Sequence, residues 1–374
     1  MDKITKREFL KQGLLLTGGV FCGGWLNAFP MGEKDSLGKW SREAIFYSET
    51  PRGIRCGICP NECTLKPGEL SECHNRISKD GKLYTIAYGN PCAVHIDPIE
   101  KKPLLHFLPR SYAYSIATAG CNFACLNCQN WEISQTSPDK TRNYDLMPER
   151  VVEECLKNNC PTIAYTYSEP VSFYEYVYDT AKLAHENGLK NVFISNGYIN
   201  TEPLEHLAPY LDAANINLKS FSNAIYLKLN AGKLEPVLNT LKTLKEHKVW
   251  LEITNLIVPS WTDDFDMIKQ MCDWLVANGF AEYPLHFNRF YPQYKLTQLP
   301  ATPVNTLFKA KTIAEQAGCK YVYMGNIPEI GTENTFCPNC KKLVIERRGY
   351  SIVSQQMDHG KCAYCGTSIN GVWE

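Results

Sequence analysis

The sequence has no excess of either charge: 39 Lys and Arg balance 39 Asp and Glu. A neutral chain lacks the basic surplus that broad, nonspecific nucleic-acid binding needs, so no nucleic-acid partner is expected. It also has no apolar run of the roughly 18–20 residues that would span a bilayer, which argues against an integral membrane protein. It has no compositional bias toward disorder, with 44% hydrophobic and 21% charged residues. What it has in abundance is cysteine, with 17 copies in 374 residues. A chain of this length suggests two or three domains and can bury a large core without staples. A disulfide scaffold is therefore a poor explanation, and metal or redox chemistry a better one.

The cysteines fall into groups. Cys56, Cys59, Cys63 and Cys73 lie close together near the N-terminus, and Cys121, Cys125 and Cys128 fall in one short run. Cys337/Cys340 and Cys362/Cys365 form two CxxC knuckles near the C-terminus. Cys22, Cys92, Cys155, Cys160, Cys272 and Cys319 are scattered. Cys155 and Cys272 fall on the apolar positions of helical patterns and read as small buried hydrophobes.

The chain divides into four segments. Residues 1–30 read as a targeting segment. Thr5-Lys6-Arg7-Glu8-Phe9-Leu10-Lys11 ahead of a Gly-rich apolar stretch resembles a twin-arginine export signal with Lys in place of the first Arg. Residues 45–110 read as a loop-rich cysteine module. From 111 to 328, β-branched and apolar runs alternate with helical patterns. Strands are expected at 114–119, 162–167, 191–195, 213–218, 249–257, 285–290 and 321–323. That rhythm belongs to β/α units on a parallel sheet, with the active site at the C-terminal ends of the strands. Residues 331–374 read as a separate small ribbon.

Gly120-Cys121-Asn122-Phe123-Ala124-Cys125-Leu126-Asn127-Cys128 follows the first of these strands. Three thiolates in one loop can hold three corners of a cuboidal iron–sulfur cluster and leave the fourth iron open. Structural zinc wants four ligands and would need one more from a neighbouring group. The C-terminal spacing, Cys337-x2-Cys340-x21-Cys362-x2-Cys365, is that of a zinc ribbon, with a second iron–sulfur cluster as the alternative. The N-terminal four suit either zinc or an auxiliary cluster, and spacing alone does not choose between them.

The CxxxCxxC loop resembles that of the radical S-adenosylmethionine (SAM) enzymes. Several further stretches, from Asp97–Pro109 and Cys128–Gln135 through Tyr165–Pro170, Ser195–Tyr198, Asn215–Lys219 and Pro284–Phe287, are similar to the AmmeMemoRadiSam-system radical SAM enzymes. That group is related to pyruvate formate-lyase activating enzymes. The resemblance runs from about residue 45 to 374. It implies a partial (β/α)6 TIM-like barrel, a 4Fe–4S cluster on Cys121, Cys125 and Cys128, and SAM as cofactor. It implies reductive cleavage of SAM to a 5′-deoxyadenosyl radical that abstracts hydrogen from a protein or small molecule, or else activation of a glycyl-radical enzyme. It further implies a low-potential electron donor such as flavodoxin or ferredoxin, Memo-like and AMMECR-like partner proteins, and a cytoplasmic setting where SAM and such donors occur. Matched motif by motif, Glu169 falls where the SAM ammonium is received, Asn196 and Lys219 where other polar groups of SAM are met, and His286 on a late strand facing the cofactor. The residue before the last cysteine, aromatic in the superfamily, is Asn127 here, and the family's Asp stands as Asn217. The competing class is a non-enzymatic ribbon protein. Its binding face would draw on Lys341, Lys342, Arg347 and Arg348.

Overall fold

Seven apolar strands carry the centre of the molecule, and their sequences explain how they are placed. In the computed structural model, which describes residues 37–328 and 331–374, they pair in strict chain order and all in parallel. They are β8 (Tyr112–Ala117), β9 (Thr162–Tyr165), β10 (Lys190–Ser195), β11 (Ala213–Asn217), β12 (Trp250–Ile257), β13 (Leu285–Arg289) and β14 (Val322–Gly325). β9 is buried at every position and β12 nearly so, as a parallel sheet covered on both faces requires. The order is linear and ends at β14, so the sheet is open rather than closed on itself.

Six helices of seven residues or more connect the parallel strands: α1 (Pro148–Lys157), α2 (Tyr174–Glu186), α3 (Thr201–Leu207), α4 (Leu234–Glu246), α5 (Phe265–Ala277) and α6 (Val304–Ala317). Local chemistry sets their ends. Pro148 opens α1, where its missing N–H costs nothing. The Asp264 carboxylate caps the Asp266 and Met267 amides of α5. Gly318, at φ 109°, closes α6 in the left-handed conformation. Cys155 and Cys272 are fully buried on α1 and α5.

Ahead of the parallel strands come six short strands in two small antiparallel sheets. β2 (Tyr47–Thr50), β3 (Gly53–Cys56) and β4 (Thr64–Leu65) form one, and β1 (Arg42–Glu43), β6 (Lys82–Thr85) and β5 (Arg76–Lys79) the other. The main sheet begins earlier than the expected residue 111. β7 (Ala93–Pro98) pairs antiparallel with β8 from Ala93↔Ala117 to Pro98↔Tyr112. The segment that follows, 99–108, folds under the sheet. Ile99, Leu104 and Phe107 pack against Ala113, Ala164, Val192, Ala213 and Trp250, in the N-terminal half of the strands.

The ribbon, β15 (Thr335–Phe336), β16 (Leu343–Arg348), β17 (Ser351–Gln355) and the β18/β19 pair (Met357–Asp358, Lys361–Cys362), does not stand apart as expected. Leu105, Tyr321 and Tyr323 share a buried cluster with Cys337, Val344, Ile345, Cys362 and Ile369. The export-like segment lies outside the described residues. Among the described residues no helix is long and apolar enough to cross a membrane.

Candidate active site

The cysteine loop leaves the C-terminal end of β8, and neighbouring backbone fixes its path. Gly120 turns it at φ 97°, and a Cβ there would lie 2.4 Å from the Cys73 carbonyl oxygen. Only glycine tolerates both the conformation and that approach. The Ala124 and Leu126 amides donate to the carbonyls of Asn230 (3.1 Å) and Leu229 (2.9 Å). The Asn122 side chain donates to Tyr198 O at 2.7 Å and accepts from Asn196 Nδ2 at 2.8 Å. Gln135 Nε2 donates to Phe123 O at 3.0 Å.

The three thiols sit within one another's fields. Burial pushes the Cys121 thiol well up, and the charges of Glu169 and Cys125 push it further. Burial, then Cys125, pushes Cys128 up to about 11. Metal binding must therefore displace protons from the Cys121 and Cys128 sulfurs. The donor set fits an iron–sulfur cluster: three soft ligands, with potential hydrogen-bond donors close to Cys121 and Cys125. Asn230 Nδ2 reaches Cys125 Sγ at 3.2 Å, Phe123 N reaches Cys121 Sγ at 3.4 Å, and Asn196 Nδ2 stands 3.9 Å from Cys121 Sγ. Buried Asn127 Oδ1 and Asn230 Oδ1 have no hydrogen-bond partner among the described residues. Orphaned acceptors beside such a loop are what a polar ligand would satisfy.

Glu169 follows β9 and is buried. Its Oε1 accepts from Val171 N (3.1 Å) and Ser195 Oγ (2.6 Å), and its Oε2 from Asn196 N (2.8 Å). Burial pushes its carboxyl up to about 7, against the pull of Ser195, Asn196, Val171 and Lys219. Asn196 follows β10 directly, and Lys219 lies two residues past β11. Lys219 is close enough to both Glu169 and Cys128 for its charge to favour their ionisation. No carboxylate lies within salt-bridge distance of its ammonium among the described residues. Cys121, Glu169, Asn196 and Lys219 thus gather at one rim, the C-terminal ends of β8 to β11.

His286 does not join them. It is the second residue of β13 and is buried, and its Nε2 meets Glu252 Oε2 at 2.7 Å. Its place is toward the floor of the sheet. Asn217 ends β11 and donates to Ser195 O at 3.4 Å. Asn230, Asn122 and Ser195 escaped the sequence reading. Asn122 lies inside the motif and Ser195 next to Asn196. Asn230 ends the helical turn Tyr226–Asn230, about a hundred residues from its cysteine, where no spacing marks it.

The two other cysteine groups differ from each other. Cys337, Cys340, Cys362 and Cys365 converge, with all four sulfurs within 4.8 Å of one another. Cys337 and Cys365 are 3.6 Å apart, and Cys340 and Cys362 are 3.7 Å apart. These four could hold a single metal ion. Cys56, Cys59, Cys63 and Cys73 line one cleft beside Arg76 and Asn122. Arg347 is buried and binds Leu105 O, Glu333 O and Thr335 Oγ1. It is therefore not part of a basic face on the ribbon.

The chain is similar in sequence to known proteins over part or most of its length. The sequence profile of the radical SAM superfamily matches residues 115–275. An uncharacterized protein of Methanocaldococcus jannaschii is 46% identical over 332 residues, spanning 88% of this chain and 99% of that one. The pyruvate formate-lyase 1-activating enzyme of Escherichia coli is 24% identical over 218 residues, 54% of this chain and 89% of that one. Among solved structures, a domain of a pyruvate-formate lyase-activating enzyme from Bacteroides vulgatus aligns at TM-score 0.38 and 15% identity, over 44% of this chain and 98% of that one. A radical SAM methyltransferase from Sphaerobacter thermophilus aligns at TM-score 0.46 and 14% identity, over 58% of this chain and 67% of that one. With the cysteine loop in its place after the first parallel strand, the chain belongs to the radical SAM superfamily.

Proposed function

We propose that the chain is an enzyme that holds a 4Fe–4S cluster on Cys121, Cys125 and Cys128 and uses it to cleave SAM reductively. When bound on these three thiolates, the cluster would supply the one electron for that cleavage and so the radical chemistry needed to abstract hydrogen from a protein or small-molecule substrate. The observation that carries this reading is the three-thiol loop set beside a buried carboxylate at the strand rim.

The protein's own groups divide the work. The Glu169 carboxylate, held by Ser195, Asn196 and Val171, accepts the SAM ammonium. The Lys219 ammonium pairs with the SAM carboxylate, and Asn196 joins the polar wall between them. Asn230 donates to Cys125 Sγ and moderates the negative charge that gathers on reduction. Asn127 presents its unpartnered oxygen where an aromatic ring stands in the superfamily. The four ribbon cysteines hold a structural zinc.

The resemblance of the motifs from Asp97 to Phe287 supports, as part of this proposal, a role in the AmmeMemoRadiSam system, with Memo-like and AMMECR-like partners, a flavodoxin or ferredoxin donor and a cytoplasmic setting. A second reading, activation of a glycyl-radical enzyme, is favoured by the 24% identity to the Escherichia coli activating enzyme. Anaerobic reconstitution followed by reduction in the presence of SAM tests the core proposal. Wild type should form 5′-deoxyadenosine, and Cys125→Ala should not. Equal yields from the two proteins would refute it.

A further inference from the structure

The three cysteine groups of this chain can be compared on one scale, the spacing of their sulfurs. A single tetrahedral metal with metal–sulfur bonds of about 2.3 Å needs sulfurs about 3.8 Å apart. The ribbon meets that requirement, with sulfur pairs at 3.6 and 3.7 Å. Among the described residues it is the one group of three or more such ligands whose atoms all lie within 4.8 Å. Cys121, Cys125 and Cys128 do not gather that tightly, and neither do Cys56, Cys59, Cys63 and Cys73.

Yet the N-terminal four are one group. All four line the same cleft. Four sulfurs that face one space, and are too widely set for one ion, suit a polynuclear cluster that takes one thiolate at each iron. From this spacing we propose that Cys56, Cys59, Cys63 and Cys73 bind a second 4Fe–4S cluster, fully ligated by protein.

The surroundings fit a dianionic occupant. The buried Arg76 guanidinium lines the cleft. It is held by both Glu175 oxygens at 2.9 Å, which fixes its place. Ser71 Oγ lies 3.1 Å from Cys73 Sγ. The wall of the cleft is shared with the cysteine loop. Asn122, next to Cys121, lines it, and Asn61 Nδ2 donates to Asn122 O at 2.8 Å. The Cys73 carbonyl stands against Gly120. The second cluster therefore adjoins the first, across the segment 120–122.

The test is metal content after anaerobic reconstitution with iron and sulfide, with Mössbauer spectra to identify the iron. Wild type should hold roughly eight iron and eight sulfide per chain. The triple variant Cys121→Ala/Cys125→Ala/Cys128→Ala leaves the N-terminal module untouched and should retain about half of each, as a 4Fe–4S signal. The variant Cys56→Ser/Cys59→Ser should lose the other half, provided circular dichroism shows it folded. A triple variant that binds no iron overturns the second cluster, as does one whose N-terminal module holds a zinc ion lost on Cys56→Ser/Cys59→Ser. Loss of the first cluster alone would appear differently, as iron kept in the triple variant and absent from the Cys56→Ser/Cys59→Ser protein.

Discussion

Glu169→Gln perturbs the proposed SAM site while keeping its volume. In wild type the carboxylate accepts two donors on Oε1 and the Asn196 amide on Oε2. The glutamine oxygen can keep the first pair. Its amide nitrogen then faces the Asn196 N–H, donor against donor, and offers nothing to an ammonium. A hydrogen bond to a charged group contributes about 1.5–3 kcal/mol, so SAM should bind roughly 10- to 150-fold more weakly. The pH dependence gives an independent check. Burial raises the carboxyl to about 7, so it ionises through neutrality, and wild-type affinity should increase from about pH 6 to pH 8. The variant has nothing to ionise there and should be flat. Stability has the opposite slope. The folded value lies above the ordinary 4.5, so the native state binds the extra proton. The contribution of Glu169 is greatest below about pH 4.5 and is lost as pH rises through about 7, by up to roughly 3 kcal/mol. Calorimetric titration of SAM into anaerobically reconstituted protein, with urea melts of the unligated chain across the same range, measures both. Affinity within twofold of wild type with an unchanged pH profile would refute the ammonium role.

Gly120→Ala should cost more than about 2 kcal/mol, because it adds a left-handed penalty to a 2.4 Å approach on the Cys73 carbonyl. A lowered Tm together with lowered iron content checks it. Asn230→Ala removes the donor to Cys125 Sγ and should shift the cluster potential negative in an EPR-monitored titration, with about 1 kcal/mol lost in stability. Stripping the proposed ribbon metal with a chelator should expose the amides of β16 and of Leu105–Leu108 to hydrogen exchange while α2 stays protected; uniform exchange across both would contradict a local role.

Much of the sheet was legible because its strands are buried runs bounded by turns. The expected strand at 213–218 is observed as Ala213–Asn217, and that at 249–257 as Trp250–Ile257. β7 was missed for a physical reason. It is a half-exposed edge strand that ends in proline, with Ile96 45% exposed, so it shows neither a buried run nor clean alternation. The rim residues could be found because Glu169, Asn196 and Lys219 each stand just past a strand end, where a parallel sheet gathers side chains. His286 could not be sorted this way. A histidine in a strand reads alike whether it faces a cofactor or a buried acid. Its partner Glu252 lies 34 residues earlier, and the Thr254↔His286 register brings the two together. Sulfur spacing was likewise invisible in sequence, where both four-cysteine groups looked able to bind zinc.

The same carboxylate explains why the ribbon is part of the fold and not an appended module. Glu252 accepts from the amides of Leu105 and His106, at 3.0 and 2.7 Å, as well as from His286. Burial opposes its ionisation, but these donors hold its carboxyl below the ordinary value. Burial pushes His106 down to about 4, so its ring is neutral. Its Nδ1–H then donates to Asn370 O at 2.6 Å, which leaves Nε2 to accept from the Tyr323 hydroxyl at 2.5 Å. Tyr323 in turn accepts from Thr335, and Thr335 from Arg347. Every polar group along this path has one consistent direction, from the ribbon through β14 to the segment beneath the sheet. Removing one buried partner of such a network costs about 3–5 kcal/mol, since the remaining charge is stranded. The ribbon therefore seals the end of the sheet opposite the cysteine loop. Arg347, the one buried cation of its basic run, is spent on that seal and not on a partner.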